Sequence, residues 1–158
     1  MTKKTEKRIK ACCIFALVLC ILWAAYELLY LIGLFTGWGV VKEKVDWMTN
    51  SVVKWAIFIS YLLSMALLMG LCFKIVVNIH AGMCEHVAFP QNNVKLLFWF
   101  ALADFIYRLS WANLPMLFQD DFVLYFTGSN LIMPFLLLFF AFMYKVAADA
   151  VEENNLTI

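Results

Sequence analysis

Charged side chains are scarce in this chain of 158 residues, where they make up 15% of the sequence. Ordinary soluble domains carry roughly 25% charged residues. Hydrophobic residues reach 65% and the mean hydropathy is +0.86, which is more apolar surface than a soluble fold of this length can bury. The formal net charge of +1 indicates no bias toward a polyanionic or cationic partner. The composition therefore excludes soluble enzymes, zinc fingers and nucleic-acid-binding modules, and it predicts a membrane protein.

Catalytic motifs are also missing. The sequence has no HExxH, no GxSxG, no P-loop and no glycine-rich dinucleotide turn. Its five cysteines are odd in number and include no CxxC pair, so neither a disulfide framework nor a zinc ribbon is indicated. We interpret the cysteines as small fillers of apolar segments. The prediction is a non-enzymatic protein without a cofactor.

One cluster of metal-binding residue types does occur, with its members at His80, Cys84, Glu85 and His86. A structural zinc site normally needs two well-spaced pairs of ligands. The two histidines are too far apart to form such a pair, and no further thiol or imidazole is expected beside them. We therefore interpret the cluster as a solvated loop and predict no metal site.

Four apolar stretches are long enough to cross a membrane, which takes about 20 residues at about 1.5 Å each. Lipid offers no partner for free backbone groups, so each stretch is predicted to be a helix. Gly128, Ser129 and Asn130 mark the start of the fourth helix, and Pro115 is expected to end or kink the third. The prediction is one all-α domain over residues 1–158. It is an integral membrane bundle of four transmembrane helices, at about residues 9–35, 52–79, 94–114 and 129–150.

Basic residues predict the orientation of this bundle, because cytoplasmic segments carry an excess of lysine and arginine. Eight basic residues lie on the side of the two termini and three on the other side, apart from Arg108 inside a span. Both termini are therefore predicted to be cytoplasmic. The first apolar run follows a basic start, as in a secretory signal peptide. It is too long for one and lacks a small-x-small cleavage site, so we expect a retained helix.

Three charged residues interrupt the apolar stretches themselves, where charges are costly and are candidates for a functional role. Asp104 and Arg108 are spaced i, i+4 on the third helix and should share one face. Glu27 lies about 24 Å along the first helix from Ala11, and it would meet Arg108 if these two helices pack together. One interpretation is a mutually satisfied ion pair that fixes helix rotation and register. The other is a proton relay, an ion path or a ligand counter-charge inside the bundle.

Two further patterns concern packing and the membrane surface. Small residues recur on the second helix, at Ser60 and Ser64 and again at Ala66 and Gly70, which predicts close approach of a neighbouring helix. Residues 40–50 mix apolar and charged side chains, and we expect them to lie along the outer interface as a short amphipathic piece.

Two polar stretches, taken together, resemble a known family. Residues 86–97 read HVAFPQNNVKLL and lead into the third helix, and residues 152–158 read EENNLTI. Both resemble the bacterial membrane proteins grouped as domain of unknown function 2975, in which four predicted helices cover essentially the whole chain. The matching positions are Phe89, Asn93, Leu96, Asn154, Leu156, Thr157 and Ile158. The chain departs from the family pattern in having only Lys95 as a basic residue after the asparagine and Asn155 in place of an acid.

The resemblance implies a bacterial inner-membrane protein that works beside a very small helix-turn-helix regulator, because members are often encoded next to one. The acidic tail would then be a docking peptide, with candidate contacts at Glu152, Glu153, Asn154, Leu156 and Thr157. The leading hypothesis is a multi-pass membrane protein with an accessory or regulatory role and no direct nucleic-acid binding. The alternative is a small transporter or channel subunit that uses Glu27, Asp104 and Arg108. The sequence leaves the oligomeric state open.

Overall fold

The computed structural model of the chain describes residues 3–39, 41, 43–84, 89–119 and 123–156. These residues form an all-helical fold without a strand, which confirms the predicted class. The helices are α1 (Lys3–Thr36), α2 (Ser51–Cys84), α3 (Asn92–Asn113) and α4 (Ser129–Leu156), with a short 3-10 helix at Leu114–Phe118 after α3. Each helix extends beyond its predicted bounds at one end or both, α3 only at its start. In α1 the added first turns carry an i, i+4 ion pair between Lys10 and Glu6, with Nζ and Oε1 2.7 Å apart.

Three stretches of helix are long and apolar enough to cross a membrane: Lys4–Thr36, Ser51–Met83 and Ser129–Glu153. Many of their large apolar side chains point outward, and Phe15, Ile21 and Phe135 are all more than 60% exposed. In water such surfaces would be unstable, whereas lipid accommodates them. The chain is therefore a membrane protein. With 22 residues α3 is about 33 Å long, but Asp104 and Arg108 lower its mean hydropathy.

Neighbouring helices pack in chain order, α1 against α2, α2 against α3, and α3 against α4. The start of α1 and the end of α2 share an apolar cluster of Cys13, Val76 and Met83. We call this end of the bundle, which also holds the start of α3 and the end of α4, the terminal end. The opposite end, the loop end, holds the larger core cluster, formed by Leu34, Val41, Val45, Phe58, Tyr61, Leu114 and Leu117.

The connection from α1 to α2 folds back over the loop end as irregular chain. Val41 and Val45 are buried in the core cluster there, so the apolar side chains of the predicted amphipathic piece face the bundle; Val40 and Lys42 lie outside the described part. The location of this piece along the outer interface stays a prediction. Gly33 makes the return possible, because a Cβ at this position would come within 2.9 Å of Cβ of Val41. The chain leaves α1 through Gly37, whose φ of +68° is readily adopted only by glycine.

A tight turn precedes α2 in this connection. The carboxylate of Asp46 accepts hydrogen bonds from the backbone N–H of Met48 at 2.9 Å and from the hydroxyl of Thr49 at 2.7 Å. These two bonds, the backbone one foremost, hold the pKa of Asp46 below its ordinary value. The ammonium of buried Lys54 donates to the Asp46 carbonyl at 2.8 Å and so ties the turn to the first turn of α2.

The end of α3 is where the sequence predicts it. The helix stops at Asn113, and Pro115 lies in the first turn of the following 3-10 helix. The buried side chain of Asn113 donates to the Leu109 carbonyl at 2.7 Å and exchanges two hydrogen bonds with the backbone of Tyr125. It thereby holds the chain that leads to α4, which begins at Ser129 as predicted.

Candidate functional site

Glu27 is the most completely engaged ionisable residue of the described chain. Its side chain is 1% exposed, although it lies inside a membrane-spanning helix. Oε1 accepts hydrogen bonds from Nε1 of Trp23 at 2.8 Å and from the hydroxyl of Tyr107 at 2.6 Å. Oε2 accepts a hydrogen bond from the hydroxyl of Tyr61. Three donors thus satisfy one buried carboxylate, as a buried charge in a low-dielectric surrounding requires.

The three donors come from three helices, and this explains how the site is assembled. Trp23 stands one turn before Glu27 on α1, Tyr61 lies on α2, and Tyr107 lies on α3. The rings of Trp23 and Tyr107 meet edge to face with centroids 5.6 Å apart, and those of Tyr61 and Tyr107 stack at 5.9 Å. Because these side chains are long, they join α1 to α3 across the face of α2. We call Trp23, Glu27, Tyr61 and Tyr107 the carboxylate cluster.

Two more aromatic rings enclose the carboxylate cluster toward the loop end. Trp111 on α3 packs against Tyr30 on α1, with centroids 5.1 Å apart, and against Tyr61 at 5.9 Å. The enclosing rings keep the cluster away from bulk solvent. They also make its hydrogen bonds stronger than they would be in water.

Asp104 and Arg108 form the predicted pair within α3. Nε of Arg108 lies 2.7 Å from Oδ2 of Asp104, and Asp104 is 7% exposed. The expected meeting of Glu27 with Arg108 does not occur, because Glu27 is bound instead by Tyr107, the residue before Arg108. Successive residues of a helix point about 100° apart, so Arg108 faces a different direction from the carboxylate cluster. The structure therefore separates the three charges into two sites.

Cavities lie elsewhere in the bundle. A groove of about 410 Å³ between α2 and α3 is lined in part by Ser60 and Ser64, the small residues that predicted close packing. Ser60 also contacts α3 directly, with its Oγ 2.8 Å from Oγ of Ser110. A second groove of about 290 Å³ lies between α3 and α4 beside Pro134, a helix-interior proline. Neither lining includes Glu27, Asp104 or Arg108.

A polar contact at the terminal end links α2 to α3. The side chain of Asn93 is 0% exposed; it accepts from Nδ2 of Asn78 at 2.8 Å and donates to the Ile75 carbonyl at 3.2 Å. Sequence reasoning singled out Asn93 only through the family resemblance and missed Asn78. The signal available was two amide side chains on either side of one short connection, where antiparallel helices bring them together.

The same end brings together the two stretches that carry the resemblance. Nε2 of Gln91 donates to Oδ1 of Asp149 and to Oε2 of Glu152, both at 3.0 Å. The ring of Phe89 packs against that of Tyr144 at 5.4 Å, and the Tyr144 hydroxyl donates to the Pro90 carbonyl. We call this surface, residues 89–93 with the last turns of α4, the terminal platform.

Other candidate tail residues are described less fully. Glu153 is exposed on α4, which continues through Asn154 and Leu156, whereas Thr157 lies outside the described residues. The rejected metal cluster also falls partly outside them, at Glu85 and His86. Within the described ranges no group of three His, Cys, Asp or Glu side chains is placed to hold a metal ion.

Comparison with other proteins adds no identity to this geometry. No protein family, curated protein or solved structure matches the chain.

Proposed function

We propose that this chain is a non-enzymatic membrane protein with an accessory or regulatory role, and that its terminal platform holds a partner protein. One observation carries this proposal. Gln91 hydrogen-bonds to Asp149 and Glu152, so the polar connection and the acidic end of α4 form one surface although they are far apart in sequence. The resemblance to the family of unknown function 2975 suggests the partner, a small helix-turn-helix regulator.

In the proposed topology α3 crosses the membrane in addition to α1, α2 and α4, and both termini lie in the cytoplasm of a bacterium. Support comes from the length of α3, about 33 Å, and from its position between two apolar helices. Its two charges lie i, i+4 and bind each other, which reduces the cost of placing them in lipid. The excess of basic residues at the terminal end supports the orientation.

An alternative function is a small transporter or channel subunit. The observation in its favour is a carboxylate in the membrane-spanning part of α1, the kind of residue that marks ion pathways. Against it, both oxygens of Glu27 are engaged and the Asp104–Arg108 pair lies apart from the carboxylate cluster. In a transporter Asp104→Asn should abolish transport while the protein still inserts. In a membrane anchor the same substitution should leave partner binding unchanged.

The test is a pull-down of the tagged chain from native membranes in mild detergent, with captured proteins identified by mass spectrometry. We expect a small DNA-binding protein to be captured by the wild type. It should be lost when residues 149–158 are deleted, and its capture should be reduced when Gln91→Ala removes the two hydrogen bonds to Asp149 and Glu152. Gln119→Ala is the matched control, because Gln119 is exposed at the loop end. Undiminished capture by the deleted chain would contradict the proposed docking surface. Capture of only the chain itself or a transport assembly would favour the alternative.

A further inference from the structure

Two cysteines from different helices face each other inside the bundle. Sγ of Cys20 on α1 lies 2.9 Å from Sγ of Cys72 on α2. A disulfide bond is about 2.05 Å long, so a shift of less than 1 Å separates the two thiols from bonding distance. Both are partly buried and both are free thiols in this structure. Sequence spacing gave no sign of this pair, because the two residues are 52 positions apart.

The contact is specific to these two cysteines within the described side chains. Cys12 is exposed on α1, whereas its neighbour Cys13 is buried against Val76 and Met83. Adjacent residues of a helix point about 100° apart, so Cys12 and Cys13 cannot bond to each other without breaking the helix. Cys20 and Cys72, in contrast, meet across the α1–α2 interface.

We propose that Cys20 and Cys72 are a reversible dithiol–disulfide site, oxidised by a lipid-soluble quinone. In the oxidation both S–H bonds break and one S–S bond forms. The two electrons and two protons pass to the quinone, which becomes the quinol. A lipid-soluble dithiol reverses the change by thiol–disulfide exchange: its two S–H bonds break, its own disulfide forms, and Cys20 and Cys72 regain their protons.

The position of the pair argues for a lipid-soluble oxidant. Cys20 and Cys72 lie within Lys4–Thr36 and Ser51–Met83, the two stretches apolar enough to cross a membrane. A water-soluble oxidant such as glutathione disulfide is excluded from hydrocarbon, whereas a quinone dissolves in it. Because both thiols are only partly buried, an oxidant dissolved in the lipid can reach them.

The bond would add a covalent link to the α1–α2 interface. On one side of it lies the apolar cluster of Cys13, Val76 and Met83 at the terminal end, and on the other side the carboxylate cluster. In the reduced state α1 is held to α2 by these non-covalent contacts. In the oxidised state the two helices can no longer slide or separate.

The experiment uses the full chain in liposomes, reduced beforehand and then incubated with decylubiquinone or with buffer. Free thiols are blocked in SDS with N-ethylmaleimide, disulfides are reduced, and the released thiols are labelled with a polyethylene-glycol maleimide. We expect the quinone-treated chain to gain two labels and the buffer-treated chain to gain none. Peptide mass spectrometry should find Cys20 joined to Cys72 within one chain.

Variants assign the labels to the pair. Cys20→Ser and Cys72→Ser should gain no label, whereas Cys12→Ser, the control on the exposed side of α1, should still gain two. The proposal is overturned if the wild type gains no label, if Cys20→Ser still gains two, or if the joined peptides come from two chains. If treatment with glutathione disulfide gave as many labels as treatment with the quinone, the assignment of a lipid-soluble oxidant would be overturned. The peptide map of the wild type decides the question even if a serine variant fails to insert.

Discussion

Replacing Glu27 with leucine removes the acceptor on which three helices converge. Nε1 of Trp23 and the hydroxyls of Tyr61 and Tyr107 all lose their partner. A buried donor left unpaired costs roughly 1–3 kcal/mol in water-soluble proteins. Hydrogen bonds between membrane helices are worth less, about 0.6 kcal/mol on average and about 1.7 kcal/mol at most, because the unfolded chain also finds partners in lipid. Three lost bonds therefore lower the free energy of unfolding by roughly 2–5 kcal/mol.

Glu27→Gln is the matched control for this substitution. Oε1 of Glu27 accepts from Trp23 and Tyr107, whereas Oε2 accepts from Tyr61 alone. A glutamine that keeps its oxygen at the first position turns its NH₂ group toward Tyr61, whose hydroxyl can accept as well as donate. All three contacts are then retained. We expect the stability of Glu27→Gln to lie within about 1 kcal/mol of the wild type.

The assay is unfolding in mixed micelles with increasing SDS, followed by circular dichroism and by the fluorescence of the six tryptophans. We expect the transition of Glu27→Leu at clearly lower SDS and that of Glu27→Gln near the wild type. A Glu27→Leu chain as stable as the wild type would refute the role of the carboxylate cluster in holding α1. Equal losses in both variants would show that the negative charge, rather than hydrogen bonding, is what the site requires.

Three further outcomes are expected in the same assay. Asn93→Ala should lower the free energy of unfolding by roughly 1–3 kcal/mol, because the hydrogen bonds of its buried amide to α2 disappear. Asn92→Ala, at the exposed neighbouring position, should change the stability little. Equal effects of the two substitutions would contradict this prediction. Arg108→Leu should lower the free energy of unfolding by about 1–3 kcal/mol, less than breaking a fully buried ion pair would, since the Arg108 side chain is 36% exposed. Adding Asp104→Leu should restore stability, because no unpaired charge is then left. A further loss in the double variant would contradict this account of the pair. The lowered pKa of Asp46 means that its contribution is complete above the ordinary aspartate pKa and is lost as the pH falls through the lowered value. Asp46→Asn should therefore make the stability fall less steeply as the pH is lowered. An unchanged pH dependence would show that Asp46 does not contribute to the loss of stability in acid.

Much of the fold was predictable because local signals specify it. Long apolar stretches predicted the helices, Pro115 predicted the end of α3, and Gly128 marked the start of α4. The Asp104–Arg108 pair was also predictable, since i, i+4 spacing on one helix brings side chains together without any knowledge of packing.

Contacts between helices were not predictable in the same way. Glu27 stood out as a charge in an apolar run, but its partners Tyr61 and Tyr107 depend on how α2 and α3 rotate about their axes. The predicted contact of Glu27 with Arg108 was wrong for this reason. Glu27 binds Tyr107 instead, the neighbouring residue on α3, whose side chain points about 100° away from that of Arg108. The Cys20–Cys72 pair was interpreted as filler, because nothing in the sequence says that two distant cysteines lie at the same depth on facing helices.

The polar character of α3 has a consequence for how the chain enters the membrane during synthesis. In the proposed four-span topology, α3 is the segment that leaves the translocation channel for lipid least readily, because it carries both Asp104 and Arg108. Two side chains of α3, Tyr107 and Ser110, form hydrogen bonds with Glu27 on α1 and Ser60 on α2 respectively. Both of these partners have already been synthesised when α3 enters the membrane. The order of the helices along the chain thus allows α3 to pack against α1 and α2 as soon as it enters the membrane. A permuted chain that began with α3 would present Tyr107 and Ser110 to lipid before their partners on α1 and α2 had been made.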